Sequence, residues 1–379
     1  MAFVVPTLFE IICLALIAAS FLFQLWFLFR RVYHLIGKNN ANLLETSFTP
    51  PVSVIVCAKN EADNLKKFLP AVLAQNYPEY QVIVVNDSSE DDSEMTLAQI
   101  KSKYPHLYFT TIPYDRNFKH GKKLAISVGV KAAAHNYLVF TDADCLPASE
   151  NWLKNMVCGF APAGKEIVLG FGGYMKQKGF INFLTRYDTF FIAMQYMGFA
   201  LSGKPYMGVG RNLAYKKELF VKNNGMKNHV AILSGDDDLF VKETSTCKNV
   251  SVVNILEAHT YSLPPKTMRE WLTQKARHLS TAGYYRNSIK YELFFEPFSR
   301  EILWLTALIM IIFNNFAAAT GGVLVINLVV KIIIWQKIAK LLNQGKLFWG
   351  VLLFDFIHPW LLLWAFFVNK LGRNKKRWK

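Results

Sequence analysis

Acidic side chains recur after apolar segments at three places in the middle of this chain. The first is Asp87, the second is a D-A-D step at 142–144, and the third is a run of three aspartates at 236–238. A Gln274-x-x-Arg277 pair follows them. Carboxylates that close strands on one edge of a sheet can hold a divalent cation and a diphosphate together.

The order of these groups limits the chemistry. Asp142 and Asp144 offer hard oxygen ligands on one side of a strand end, which suit Mg²⁺ or Mn²⁺ bridging phosphate oxygens. A later carboxylate can accept a proton from an attacking hydroxyl, and Arg277 can neutralise departing phosphates. The pattern predicts transfer of a sugar from a nucleotide donor.

Short β-rich segments alternate with helical patterns between about Pro50 and Tyr261. The predicted strands are 52–58, 80–87, 107–114 and 137–144, and the predicted helices are 61–75, 93–103 and 122–134. This alternation predicts an α/β fold with a mostly parallel sheet. No G-x-G-x-x-G follows the first strand, so a dinucleotide cofactor is not expected.

Composition indicates a membrane protein, because 52% of the 379 residues are hydrophobic. Residues 8–29 form an apolar run of spanning length, and Arg30 and Arg31 follow it at once. A cleaved signal peptide is the alternative, but it would need a basic start and a small-residue cleavage site, and neither is present. We therefore expect an N-terminal transmembrane helix.

The C-terminal apolar region has more than one interpretation. Residues 302–334 are too long for one untilted span and contain Asn314-Asn315 and Gly321-Gly322 near their middle, which favours a hairpin of two short spans. Residues 347–368 make another span, and the polar group at 355–359 can bend it or make it re-entrant. The number of spans stays open.

Basic residues flank the hydrophobic ends. The first ten residues contain no Lys or Arg, whereas Arg30, Arg31 and the tail at 371–379 are basic, so the positive-inside rule predicts a cytoplasmic catalytic segment at a bacterial inner membrane. The net charge of +16 therefore favours anionic lipid headgroups over nucleic acid as a partner. The five cysteines lack a C-x-x-C pair, which indicates reduced thiols.

Together these motifs resemble the inverting family 2 glycosyltransferases, which have a GT-A (Rossmann-like nucleotide-diphospho-sugar transferase) fold. The resemblance extends over about residues 50 to 285 and to the membrane architecture of cellulose, hyaluronan and poly-N-acetylglucosamine synthases and of ceramide glucosyltransferase. It is carried by CAKNEADNL, Asp87, the D-A-D step, GDDDLF and QKARH. The expected domains are an N-terminal transmembrane helix at 1–32, a cytoplasmic GT-A domain at 45–290, C-terminal transmembrane helices at 300–370 and a basic cytoplasmic tail at 371–379.

The resemblance implies roles for individual residues. Asp237 matches the catalytic base, with Asp236 as the nearby alternative, and Asp144 with Asp142 matches the metal site. The nucleotide-sugar site would contain Lys59, Asn60, Glu61, Asp87, Asp142, Arg211, Gln274 and Arg277. Lys122 is added because the basic loop 117–123 could close on the diphosphate.

Structural explanations compete with several of these roles. Asp87 could cap a turn, the D-A-D step could be a solvated loop, and the aspartate triplet could be purely structural. Gly208–Asn212 could be a hairpin turn with a surface arginine, and Arg277 could pair with a helix acid. The aromatic segment 180–201 fits either an interface helix facing a lipid acceptor or a buried core helix.

The prediction is a membrane-bound inverting enzyme that uses Mg²⁺ or Mn²⁺ to move a sugar from a nucleotide-sugar donor to a lipid or lipid-linked glycan. One alternative is a processive synthase that extrudes a β-linked polysaccharide, and another is a non-catalytic, membrane-tethered nucleotide-sugar-binding protein. His278 stands where processive relatives carry a stacking Trp, which favours the addition of one or few sugars. The expected partners are the donor, the acceptor and membrane lipids, with no nucleic acid.

Overall fold

The computed structural model of this chain describes residues 6–37, 47–115, 121–230, 232, 234–313 and 316–371. Most of the predicted basic loop, Asn314-Asn315 and the basic tail after Leu371 lie outside the described residues.

Two sheets form the scaffold of the predicted sugar-transfer domain. The strands are β1 Val52–Ala58, β2 Tyr80–Asp87, β3 Leu107–Ile112, β4 Tyr137–Asp142, β5 Cys145–Pro147, β6 Ile167–Gly170, β7 Gly172–Tyr174, β8 Leu213–Lys216, β9 Val250–Val253 and β10 Thr260–Ser262. Seven of them form one sheet in the order β3-β2-β1-β4-β8-β6-β9, and β5-β10-β7 form a smaller one. Neighbours from β3 to β4 are parallel, while β8 is antiparallel to β4 and β6.

Helices cover both faces of the large sheet and extend beyond it. They are α1 Leu8–Phe27, α2 Ala62–Leu73, α3 Ser93–Lys101, α4 Lys122–Ala132, α5 Trp152–Val157, α6 Phe180–Leu201, α7 Lys217–Lys222, α8 Asp238–Thr244, α9 Met268–Leu279, α10 Asn287–Phe313, α11 Ala317–Leu341 and α12 Val351–Leu371. The structure confirms the predicted α/β alternation. All of β1 is buried, as expected of a parallel strand covered on both faces.

The predicted strand at 137–144 ends early, at Asp142. Ala143 and Asp144 form a tight turn, and the chain then enters β5 in the smaller sheet. The D-A-D step therefore joins the two sheets, with Asp142 as the last residue of a strand and Asp144 in a turn.

Three of the described helical stretches are long and apolar enough to span a membrane: Leu8–Gly37, Ala317–Leu341 and Gly345–Val368. The helix α10 packs along α1, and large apolar side chains remain exposed at its end, with Ile312 69% and Phe313 77% exposed. Exposed apolar surface of this kind is expected where helices face lipid.

The C-terminal helices differ from the predicted hairpin of short spans. The first helix ends at Phe313 and α11 begins at Ala317, whereas Gly321 and Gly322 lie inside α11. The two helices are 27 and 25 residues long, because α10 begins at Asn287 and passes through the predicted domain boundary at 290. The last segment stays one helix through Pro359.

The aromatic helix α6 is buried between the sheet and the candidate membrane helices. Tyr196 Oη donates a hydrogen bond to Gly170 O at 2.7 Å on the sheet side. On the other side the rings of Tyr187 and Phe354 lie 4.7 Å apart. Of the two interpretations of 180–201, the structure therefore supports a buried helix over a lipid-facing one.

Candidate active site

The turn between β4 and β5 brings two carboxylates together. One oxygen of Asp142, one of Asp144 and the Cys145 Sγ lie within 4.8 Å of one another. Burial and the adjacent charge of Asp142 raise the pKa of Asp144, although Arg211 opposes this shift. Two carboxylates that repel each other at a turn would be stabilised by a divalent cation, and both are hard oxygen donors.

Cys145 is a poor third ligand for such a cation. Burial, followed by the charges of Asp144 and Asp142, raises the pKa of its thiol well above the usual range. The protonated thiol donates to Asp144 Oδ1 at 3.6 Å. The donor set at this turn is therefore oxygen from two aspartates, which fits Mg²⁺ or Mn²⁺ better than a thiolate-seeking metal.

Lys122, the first residue of α4, bridges the turn and the later acidic segment. Its Nζ lies 2.7 Å from Asp142 Oδ1 and 3.2 Å from Asp236 Oδ2. Burial alone would lower the pKa of this amine, but Asp142, Asp236 and Asp237 raise it well above its usual range. The ammonium is thus a cation already held between the two acidic clusters.

The three consecutive aspartates have three different environments. Burial would raise the pKa of Asp236, but the charge of Lys122, hydrogen bonds and the charge of Arg277 together lower it. Burial and the neighbouring carboxylates raise the pKa of Asp237 to about 7. Its Oδ2 accepts from Gly210 N at 2.7 Å and its Oδ1 from Asp238 N at 2.8 Å.

Asp238 is the structural member of the triplet. It is buried, and its Oδ2 accepts hydrogen bonds from Thr281 Oγ1 and, at 2.7 Å, from Tyr285 Oη. These two residues lie between α9 and α10, so Asp238 ties that connection to the start of α8. The structural interpretation of the triplet applies to this residue.

Arg211 points into the domain and not to the surface. Its guanidinium lies 4.2 Å from the ring centre of Tyr174, and its Nη1 donates to Gly173 O at 3.1 Å and to Ser262 Oγ at 3.0 Å. Its charge lowers the pKa of Asp144, which places the two groups within electrostatic range. The turn at Gly208–Asn212 therefore directs a cation at the acidic turn.

The helix α9 meets the same side of the small sheet. Gln274 Nε2 donates to Tyr174 Oη at 2.7 Å, so Tyr174 contacts both Gln274 and Arg211. Arg277 is exposed, and its charge contributes to the lowered pKa of Asp236. Within the described part of the chain no carboxylate forms a salt bridge with Arg277, so the predicted alternative of a pair with a helix acid is not observed.

The opening segment lies at the carboxyl ends of β1 and β2. Lys59 follows β1, and Asn60, at φ +54°, accepts from Glu90 N at 2.8 Å through its Oδ1. Glu61 N donates to Ser93 Oγ at 3.1 Å. Asp87 is fully buried at the end of β2 and accepts from Ser88 Oγ at 3.2 Å.

Cys57 shows that these elements converge. Burial raises the pKa of its thiol, Lys122 lowers it, and Asp142, Asp236 and Asp87 each raise it further. Cys57 is paired with Asp142 across β1 and β4. The carboxylates of three distant segments therefore act on one point at the end of β1.

Two groups at the candidate active site were not predicted from the sequence. Tyr174 had no signal, because a lone tyrosine in a three-residue strand matches no motif. The backbone N–H of Gly210 was also missed, although its small-residue turn was a candidate segment. A Cβ at this glycine would lie 3.1 Å from Lys122 Nζ and 3.3 Å from Asp237 Oδ2, so a side chain there would crowd both groups.

Comparisons with known proteins show what this domain is similar to. Residues 53–222 match the model of glycosyl transferase family 2. Glycosyltransferase AglE of Haloferax volcanii is 32% identical over 147 residues, which are 38% of this chain and 46% of that protein. Poly-beta-1,6-N-acetyl-D-glucosamine synthase of Staphylococcus epidermidis is 28% identical over 93 residues, 24% of this chain and 21% of that protein. The chain thus spans less than half the length of these curated relatives.

One solved structure is similar over almost the entire chain. It is a mannosyltransferase from Pyrobaculum calidifontis in complex with GDP-Man and Mn²⁺, with a TM-score of 0.60 and 20% identity, covering 97% of this chain and 100% of that one. This likeness establishes the fold. Residues 53–222 of this chain are thus similar to glycosyl transferase family 2 domains, and the chain has a GT-A-like α/β fold with candidate membrane helices on both sides.

Proposed function

We propose that this protein is a membrane-bound inverting glycosyltransferase that moves a sugar from a nucleotide-sugar donor to a lipid or lipid-linked glycan. The observation that carries the proposal is the convergence of Asp142, Asp144, Asp236 and Asp237 around one ammonium, with Arg211 facing them. The relatives AglE and the poly-N-acetylglucosamine synthase support the reaction class.

In the proposed mechanism Asp237 is the base. A carboxylate with a pKa of about 7 is a stronger base than an ordinary aspartate, and it is still partly ionised at neutral pH. It takes the proton of the acceptor hydroxyl while that oxygen forms a bond to the anomeric carbon. The bond from this carbon to the diphosphate breaks, and the nucleoside diphosphate leaves with the electron pair.

The basic side chains hold the departing charge. Arg211 is fixed by its stacking on Tyr174 and by two hydrogen bonds, so it can meet phosphate oxygens without reorganising. Lys122 and Arg277 add positive charge next to Asp236. Asp142 and Asp144 would hold Mg²⁺ or Mn²⁺, which when bound supplies Lewis-acid neutralisation of the diphosphate.

The donor site extends to the ends of β1 and β2 in this proposal. Lys59, Asn60, Glu61 and Asp87 lie there, and the resemblance to family 2 enzymes assigns them to the nucleotide. Gln274 completes the opposite side through Tyr174.

A membrane acceptor is supported by the position of the domain. Candidate membrane helices precede and follow it, and α6 connects the two parts by packing against both. The basic residues Arg30 and Arg31 at the end of the first candidate span favour a cytoplasmic site under the positive-inside rule.

The test is incubation of the full-length protein in native membranes with labelled nucleotide sugars, followed by organic extraction and sizing of the product. We expect label in an extractable glycolipid that carries one or few sugars. Label found only in long, lipid-free polymer would instead support the processive synthase, to which the likeness to poly-N-acetylglucosamine synthase points. Donor binding without release of nucleoside diphosphate would support the non-catalytic alternative.

A further inference from the structure

A buried polar contact connects the donor-side helix α9 to the membrane helices. The Lys275 amine forms a salt bridge with Asp188 Oδ2 on α6. Asp188 Oδ1 in turn lies 3.0 Å from His358 Nε2 on α12. All three residues are buried. They link three helices, of which one carries Gln274 and Arg277 and another belongs to a candidate membrane span.

The geometry of α9 places Lys275 behind the proposed donor residues. Successive residues of an α-helix are rotated by about 100°, so Gln274 and Arg277 lie about 60° apart on one side. Lys275 lies about 100° from Gln274 and about 160° from Arg277 by the same rotation. A contact that holds Lys275 in place therefore fixes the rotation of α9 about its axis, and with it the direction in which Gln274 and Arg277 point.

Stability alone does not explain this contact. Removing an ammonium and a carboxylate from water costs several kcal/mol, and well-packed apolar side chains at such positions are often equally stabilising. Apolar contacts, however, are non-directional. A carboxylate that accepts from two donors on two other helices has a defined orientation, and it transmits that orientation to Lys275.

We propose that Lys275 is a positioning residue for the donor site. Its contact with Asp188, and through Asp188 with His358 of the membrane bundle, sets the rotation of α9 that presents Gln274 and Arg277 to the diphosphate. This inference rests on the proposed glycosyltransferase function, and it makes the geometry of the donor site depend on an assembled membrane bundle.

The experiment uses the full-length protein in lipid nanodiscs. The single variants are Lys275→Met, Lys275→Arg and Arg277→Ala. A double variant combines Lys275→Met with Arg277→Ala. The matched control is Glu292→Gln. Glu292 on α10 forms partly buried ion pairs with Arg31, which follows α1, at 2.5 Å and with Lys204, which follows α6, at 2.8 Å.

We expect Lys275→Met to lower kcat/KM for the donor by about 10- to 100-fold, because small displacements of positioned groups have effects of this size. The KM for the acceptor should stay within about twofold, and Lys275→Arg should recover most of the loss. When Arg277→Ala is already present, Lys275→Met should cost less than about threefold, because both changes remove the same interaction.

If Lys275→Met lowers kcat/KM by the same factor in the wild type and in Arg277→Ala, the proposal is overturned. Unchanged donor kinetics in Lys275→Met would also overturn it. If Lys275→Met lowers thermal stability but leaves kcat/KM for the donor unchanged, as expected of the control Glu292→Gln, the role of Lys275 is structural only. If Lys275→Met does not fold, His358→Leu removes one of the two donors to Asp188 and should reproduce a smaller loss with the same dependence on Arg277.

A second measurement separates this inference from the proposed function. Hydrogen exchange of Met268–Leu279 should be faster in Lys275→Met than in the wild type and unchanged in Glu292→Gln. If the wild-type protein releases nucleoside diphosphate from no donor, the proposed function fails, and the exchange rates still decide whether Lys275 holds α9. Unchanged exchange would overturn the positioning role.

Discussion

Two groups of buried charge in this protein are built on opposite principles. In the bundle of α10, α11 and α12, four buried charges pair with one another: Asp355 lies 2.7 Å from Lys331 and 3.7 Å from Arg300, and Arg300 lies 3.3 Å from Glu296. At the acidic face Lys122 pairs with Asp142 and Asp236, and burial together with neighbouring carboxylates raises the pKa values of Asp144 and Asp237. The bundle is balanced by its own side chains, whereas the acidic face carries excess negative charge that a bound cation would balance.

Chelation should give the largest effect of this difference. Excess EDTA should reduce turnover to background, and Mn²⁺ or Mg²⁺ should restore it, because Asp142 and Asp144 offer oxygen ligands for such an ion. Thermal unfolding of the helical bundle should not change on chelation, because the charges of the bundle are paired with one another. Full turnover in EDTA, with no metal detected by elemental analysis, would contradict this prediction.

Removal of the proposed base should be the next largest effect. Asp237→Asn should lower kcat by about 10²- to 10⁴-fold, the usual contribution of a positioned base. Affinity for the nucleoside diphosphate, measured by calorimetry, should stay within about threefold, because the base acts on the acceptor. Near-normal turnover in Asp237→Asn together with an inactive Asp236→Asn would move the base to Asp236.

Single substitutions in the two regions should change stability in opposite directions. Lys331→Met leaves Asp355 with less compensation and should cost roughly 3–5 kcal/mol, the usual effect of breaking a buried pair. Asp144→Asn should raise the metal-free thermal midpoint, because it removes a repelling charge. Both are measured by thermal unfolding in detergent with EDTA. A fall in the midpoint for Asp144→Asn would mean that the acidic face is compensated after all.

The pH dependence of turnover should show the smallest effect. A raised pKa means that Asp237 holds its proton to higher pH, so the rate should fall about tenfold per pH unit below about pH 7. Asp236→Asn removes a negative neighbour that raises this pKa, so the acid limb should move to lower pH. Initial rates between pH 5 and 9 with saturating donor test both statements. An acid limb that does not move in Asp236→Asn would exclude Asp237 as the titrating group.

Much of the scaffold could be predicted from the sequence because its signals are local. The segments 52–58 and 80–87 are strands with the predicted bounds, and Phe180–Leu201 is one helix. Apolar runs at the two ends became helices of spanning length. The start of α10 at Asn287 could not be predicted in this way, because this helix packs along α1, a segment far away in the sequence.

The sequence by itself determined the order of the acidic groups, the α/β alternation and the apolar character of both ends. Only the tertiary structure decided that Asp236, Asp237 and Asp238 differ, since Lys122, Gly210 and Thr281 approach them from other segments. It alone showed Tyr174 beneath Arg211 and Lys275 against Asp188. Strand and helix patterns depend on neighbouring residues, whereas a carboxylate's pKa and its partners depend on distances between segments that the chain brings together only on folding.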